Sequence, residues 1–236
     1  GCTILGEVRC ENNQLTSLDL TGCTELFRVW CENNQLTSLD LTGYTELKEL
    51  RCDNNQLTSL DLSGCSKLNH LWWFDNPLTS LNLSGTAFTH ISYSSEGNTL
   101  TSLNLSGCTA LEYVNSSHLQ NNGPLTSLDL SGCTALREVR CQNNQLKFLN
   151  LSGCTALESV ECNNNQLTSF SISDLTSLEY LDCSNNVICQ VITSEYDMLH
   201  FIYDARYGYN HREFWNAEGK KECSFEVTDN KIGWWY

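Results

Sequence analysis

The chain has 236 residues, of which 40% are hydrophobic and 17% charged, enough for one elongated domain. Thirteen Lys and Arg against 28 Asp and Glu give a formal charge of −15. Such a chain repels phosphate backbones and anionic lipid, which argues against nucleic-acid and membrane-surface partners, and no apolar run is long enough to span a bilayer.

Taken in order, the chain opens in mid-repeat. Gly1-Cys2-Thr3-Ile4-Leu5 matches Gly64-Cys65-Ser66-Lys67-Leu68, so upstream repeats have been removed or Gly1 follows a processing site. Cys10, Cys31 and Cys52 are 21 residues apart, as are Cys141, Cys162 and Cys183. A fixed period of this size signals a solenoid, in which each unit buries its apolar face against its neighbours. The clearest unit begins Leu47-x-x-Leu50-x-Cys52-x-x-Asn55-x-Leu57, continues Leu57-x-x-Leu60-Asp61-Leu62, and turns at Ser63-Gly64. Leu50 and Cys52 alternate with Arg51, as Leu60 and Leu62 do with Asp61, so both halves read as short half-buried strands. Asn55 falls at the first turn, where its amide can satisfy unpaired backbone groups, and Gly64 suits positive φ at the second.

This pattern resembles the leucine-rich repeat superfamily, and most closely its bacterial 21-residue nested class, the IRREKO-type repeats. Leu26–Leu41, Leu47–Leu62, Leu136–Leu151 and Leu157–Ile172 carry it, with Asn150 and Ser171 replacing the aspartate in the last two. The resemblance implies a right-handed solenoid, β-rich, with a parallel sheet on one face and little or no helix. It also implies a binding role at a bacterial surface or in secretion, although reduced thiols leave a cytoplasmic location as an alternative.

Units start at Leu5, Leu26, Leu47, Leu68, Phe88, Leu111, Leu136, Leu157 and Leu178, giving nine coils over residues 1–194. The middle is irregular. One residue is missing at Gly85–Ala87, two are added within Ser94–Thr99, and four within Ser116–Pro124. Both insertions fall just after a strand, where repeat proteins place recognition loops or tolerate drift. Residues 195–236 are crowded with Tyr, Phe and Trp and read as a β-rich cap on the last coil, with a turn at Asn216–Lys220.

Of the fourteen cysteines, Cys10, Cys31, Cys52, Cys141, Cys162 and Cys183 share one inward slot. Cys2, Cys23, Cys65, Cys108, Cys133 and Cys154 share another. Rungs of a parallel ladder lie about 4.8 Å apart with parallel Cβ vectors. A disulfide needs Cβ atoms nearer about 3.8 Å and turned together, so these are expected to be reduced core thiols. Cys189 and Cys223 lie outside the ladders and are a pair that could join.

No catalytic motif is present, no cofactor is implied, and the chain reads as a non-enzymatic, monomeric binding module. Outward Asp19, Asp40, Asp61 and Asp129 form a column that reads as a solvated face, with calcium as a remote alternative. On the first sheet the repeat does not dictate the outward residues. Aromatics and histidines gather there between coils two and six, and exposed Trp is enriched in hot spots. The candidate binding residues are Arg28, Trp30, Arg51, His70, Trp72, Phe74, His90, Tyr113 and Asn115. Trp30, Trp72 and Phe74 would anchor a protein ligand with Arg28 and Arg51 as polar partners. Alternatively, Trp72 and Tyr113 would stack on a glycan whose hydroxyls bond Asn115 or Ser92. Glu49, His70 and His90 share a slot and could take zinc, though plain surface histidines read better. Trp73 takes the inward slot of Cys52, as does Tyr93 one coil on. Two rings there overfill the core and should widen it into a recess beside an exposed Trp72, leaving Trp73 buried.

Overall fold

The computed structural model describes residues 2–92, 99–117, 123–187, 190–192, 213–215, 221–228 and 231–235. Among them there is no helix. Nine three-residue strands, one per coil, line the first face: Glu7–Arg9, Arg28–Trp30, Glu49–Arg51, His70–Trp72, His90–Ser92, Tyr113–Asn115, Glu138–Arg140, Ser159–Glu161 and Tyr180–Asp182. Neighbours pair in parallel, residue for residue, so Val29 stands opposite Leu50 and Leu50 opposite Leu71. The second face carries Ser59–Asp61, Ser80–Asn82, Ser102–Asn104, Ser127–Asp129 and Phe148–Asn150 in one sheet. Ser169–Ser171 and Gln190–Ile192 pair beyond it.

Between the faces runs one continuous core. In coil three Leu47, Leu50, Cys52, Leu57, Leu60, Leu62 and Cys65 are all buried. Each large side chain contributes roughly 1.5–3 kcal/mol by leaving water. The turns follow from the sequence. Asn54 adopts φ 53°, which Asn tolerates. The next residue, Asn55, donates from Nδ2 to the carbonyls of Cys31, Cys52 and Asp53, at 3.0, 3.1 and 3.2 Å, while its Oδ1 accepts the Leu36 N–H at 2.9 Å. Asn34, Asn76, Asn165 and Asn186 repeat this arrangement. At the other turn Gly64 has φ 79°, and a Cβ there would stand 3.2 Å from the Gly43 Cα.

The second-face aspartates have a structural task. Asp19, Asp40, Asp61 and Asp129 each accept the backbone N–H two residues on, at 2.9–3.1 Å. Asn82, Asn104 and Asn150 do the same, which explains why Asp and Asn interchange. This column closes turns.

The twelve cysteines of the two ladders are free thiols. Ten are buried, Cys10 is half-buried and Cys2 is exposed. Cys2 is exposed, although its spacing places it in the inward slot. The thiols are also donors: Cys31 reaches the Arg51 carbonyl at 3.3 Å and Cys65 the Leu41 carbonyl at 3.1 Å. In the Cys65 slot, Tyr44 gives its hydroxyl to the Leu20 carbonyl at 2.6 Å. Thr86, in the same slot, bonds the Leu83 carbonyl at 2.7 Å. The slot thus accommodates a donor to a buried carbonyl without requiring one, since Leu175 fills it fully buried in the last coil.

The first face is interrupted. Coils one to four form one sheet and coils five to nine another, with no strand pairing between His70–Trp72 and His90–Ser92 among the described residues. The second-face sheet crosses the same point unbroken, since Ser80–Asn82 pairs with both Ser59–Asp61 and Ser102–Asn104. The break coincides with the residue missing at Gly85–Ala87 and with Trp73 in a cysteine slot. Trp73 is only half-buried, contrary to the expectation of a filled core, and stacks on Phe74 at 4.9 Å between centroids. An indole cannot occupy a thiol's volume in a close-packed coil, so the strands part and the ring remains partly outside. Tyr93 and both insertions lie wholly or largely outside the described residues.

Glu213–Trp215, Lys221–Thr228 and Lys231–Trp235 form a three-stranded antiparallel sheet. The anticipated turn at Asn216–Lys220, residue Cys189 and the boundary at 194 fall outside the described residues, and with them any test of a Cys189–Cys223 bond.

Candidate binding face

Two columns of side chains stand on the first face of coils one to four. Parallel pairing in register brings residues 21 apart side by side, Arg51 for example opposite Trp72. In one column the order is Arg9, Trp30, Arg51, Trp72. The Arg9 guanidinium lies 4.1 Å from the Trp30 ring centroid, and Arg51 lies 4.2 Å from the same ring on the next coil. Arg51 also lies 4.6 Å from Trp72. Cations and indoles therefore alternate, each attracted by the ring quadrupole.

The second column, Glu7, Arg28, Glu49, His70, braces the first. Glu49 accepts Arg28 Nε at 2.9 Å, Arg51 Nε at 3.0 Å and the Trp30 indole N–H at 3.0 Å. Burial pushes its carboxyl up, but these three hydrogen bonds together hold it below the usual carboxylate range. Glu7 pairs with Arg9 and, at 3.3 Å, with Arg28. A hydrogen bond from Arg9 is the main reason its carboxyl is held down.

This network changes how the candidate residues read. Trp30 is flanked by two guanidinia and gives its N–H to Glu49, so it supports the face. Arg28 and Arg51 are likewise committed to Glu49 and to the rings. Trp72 and Phe74 stand at the end of the network, beside the break. Trp72 is half-buried rather than widely exposed, with Arg51 on one face and His70 alongside at 6.2 Å. Phe74 is 41% exposed. Across the break, His90 and Tyr113 lie 6.2 Å apart with tilted rings. Asn115 turns its Oδ1 toward the Ser117 N–H and hydroxyl, at 3.1 and 2.7 Å, which spends that oxygen locally. Glu49 is not available to His70 and His90 as a zinc ligand, because Arg28, Trp30 and Arg51 occupy it and the break separates the histidines.

Glu7 and Arg9 were not among the sequence candidates, and Glu49 entered only as a metal ligand. The signal was present as the alternation Arg, Trp, Arg, Trp beside Glu, Arg, Glu at 21-residue spacing.

No protein-family model and no curated protein matches the chain. Among solved structures it is similar to the functional domain of InlJ from Listeria monocytogenes, described as including a cysteine ladder, with 28% identity over 84% of this chain and a TM-score of 0.34. It is also similar to YopM from Yersinia pestis, a leucine-rich effector protein, with 28% identity over 78% of this chain and a TM-score of 0.46. The chain spans 52% and 50% of those two chains, about half of each. The deciding observation is internal: among the described residues the leucines of the repeat point inward, a parallel strand follows each signature position, and the asparagine closes the turn.

The fold is a leucine-rich repeat solenoid. In leucine-rich repeat terms, the two columns fill the outward positions of the signature strand, which the fold leaves free to vary.

Proposed function

We propose that the chain is a non-enzymatic protein-binding module, used in adhesion or host interaction by a bacterial surface or secreted protein. The binding surface is the first face around coils two to six, with Trp72 and Phe74 as anchors and His70, His90, Tyr113 and Asn115 around them. Arg28, Trp30 and Arg51 hold that surface rigid. The observation that carries this reading is the network itself. It fixes large aromatic side chains before any ligand arrives, which lowers the ordering cost of association. The buried, hydrogen-bonded thiols favour binding over catalysis, since burial pushes Cys65 up to about 11 and Cys141 to about 12, far from a reactive thiolate.

The test is to screen the full chain against arrays of host-surface proteins and of glycans, then repeat each positive with Trp72→Ala. Retention on one protein that weakens about thirtyfold in the variant supports the reading. Retention on glycans alone would replace it with a carbohydrate-binding one, in which Trp72 and Tyr113 face sugar rings. Engagement of Asn115 Oδ1 by Ser117 weighs against that alternative.

A further inference from the structure

The Arg9–Trp30–Arg51–Trp72 column ends unfinished. Trp30 has a guanidinium on either side, at 4.1 and 4.2 Å, and its N–H is bonded to Glu49. Trp72 has a guanidinium from coil three at 4.6 Å and the His70 ring of its own coil at 6.2 Å, 15° from parallel. On the coil-five side its column continues with Ser92, which brings neither ring nor cation, and the strands there are unpaired. Where Trp30 finds Glu49 one coil on, the corresponding repeat position beyond Trp72 holds His90, and among the described residues the Trp72 Nε1 has no acceptor. The surroundings favour a cation. Glu11, Glu32 and Asp53, in the neighbouring column of coils one to three, join no ion pair among the described residues, and Glu32 Oε2 is shielded from solvent without a hydrogen-bond partner. The chain as a whole carries −15.

We propose that the side of Trp72 away from Arg51 is a subsite for an arginine side chain of the partner protein, which completes the column as its next rung. The internal rungs give the chemistry: a planar guanidinium stacks on an indole within the range this chain itself uses. The break between coils four and five supplies the entrance, and an extended arginine-bearing segment can offer a backbone carbonyl to the free indole N–H. The inference rests on the protein-binding reading of this face and names the side chain it recognises.

The experiment follows the tryptophan indole N–H signals of the 15N-labelled full chain, with that of Trp72 identified by its loss in Trp72→Phe. The probes are acetyl-Gly-Arg-Gly-amide and the same peptide with citrulline, which keeps the planar shape but not the charge. The arginine peptide should shift the Trp72 signal saturably and leave Trp30 unmoved, while the citrulline peptide leaves both unmoved. No saturable shift at Trp72, or an equal shift with citrulline, overturns the proposal. If Trp72→Ala still weakens retention on the protein found by array, only the arginine subsite falls and the face stands. If that variant also binds normally, both fall.

Discussion

Glu49 shows how much rests on single side chains in this fold. Its carboxyl is held low in the folded chain and returns to about 4.3 in the unfolded one, so the unfolded state binds the proton more tightly. Stabilisation from Glu49 is therefore complete above the ordinary carboxylate range and is lost as pH falls through the lower folded value. Thermal melts of wild type and Glu49→Gln should differ at pH 7 and converge as the pH falls below the ordinary carboxylate range. A gap that stays constant would show that the charge of Glu49 does not matter. The thiols give a second test at this scale. Burial raises Cys65 and Cys154 to about 11, so at pH 8 few are thiolates. Among the twelve ladder cysteines, reagent should reach the exposed Cys2 first and the half-buried Cys10 next, with the rest labelled only in denaturant. Rapid native labelling of Cys52 or Cys141 would contradict the packing. The inward position of the thiols was legible from their period. Their donor role was not, because it appears only when Tyr44 is seen bonding the same carbonyl of the preceding coil.

At the scale of the element, the turns carry more than the strands. Three-residue strands offer few ladder hydrogen bonds, and the asparagine that closes each coil makes up the difference. Asn55→Ala leaves the Leu36 N–H unpaired and takes one of two donors from the Cys31, Cys52 and Asp53 carbonyls, so a loss of about 2 kcal/mol is expected in chemical denaturation. The second turn is more tolerant. Asp61→Asn should leave stability unchanged, since Asn82 already does this work one coil on, whereas Asp61→Ala should cost about 1 kcal/mol. Equal effects from both Asp61 variants would restore a role for the charge itself. The sequence exposed these elements well, because inward leucines and turn residues recur every 21 positions. It misled at Trp73, where the repeat register points inward but an indole's volume opens the sheet.

For the whole molecule, one continuous second-face sheet spans a first face that is split. Coil four is thus joined to coil five by the core and by one sheet rather than two, and local opening should be easiest on the first face there. Amide hydrogen exchange at His90–Ser92 should be about tenfold or more faster than at Glu138–Arg140, while Ser80–Asn82 stays protected. Uniform protection along the first face would mean the break is closed in solution. The split also places the aromatic anchors, since Trp72 and Phe74 stand at its rim with Arg51 behind them. The candidate site was half legible: the aromatic residues stood out against the repeat, but the division between supporting Trp30 and presenting Trp72 depends on contacts across coils that single residues do not announce. The most direct measurement is the affinity of Trp72→Ala and Trp30→Ala for the protein identified by array, beside their melting temperatures. Trp72→Ala should lose about 2 kcal/mol of binding with little change in melting. Trp30→Ala should lower the melting temperature, since Arg9, Arg51 and Glu49 lose their shared partner. Normal binding by Trp72→Ala, with the fold intact, would contradict the claim that this face is the binding site.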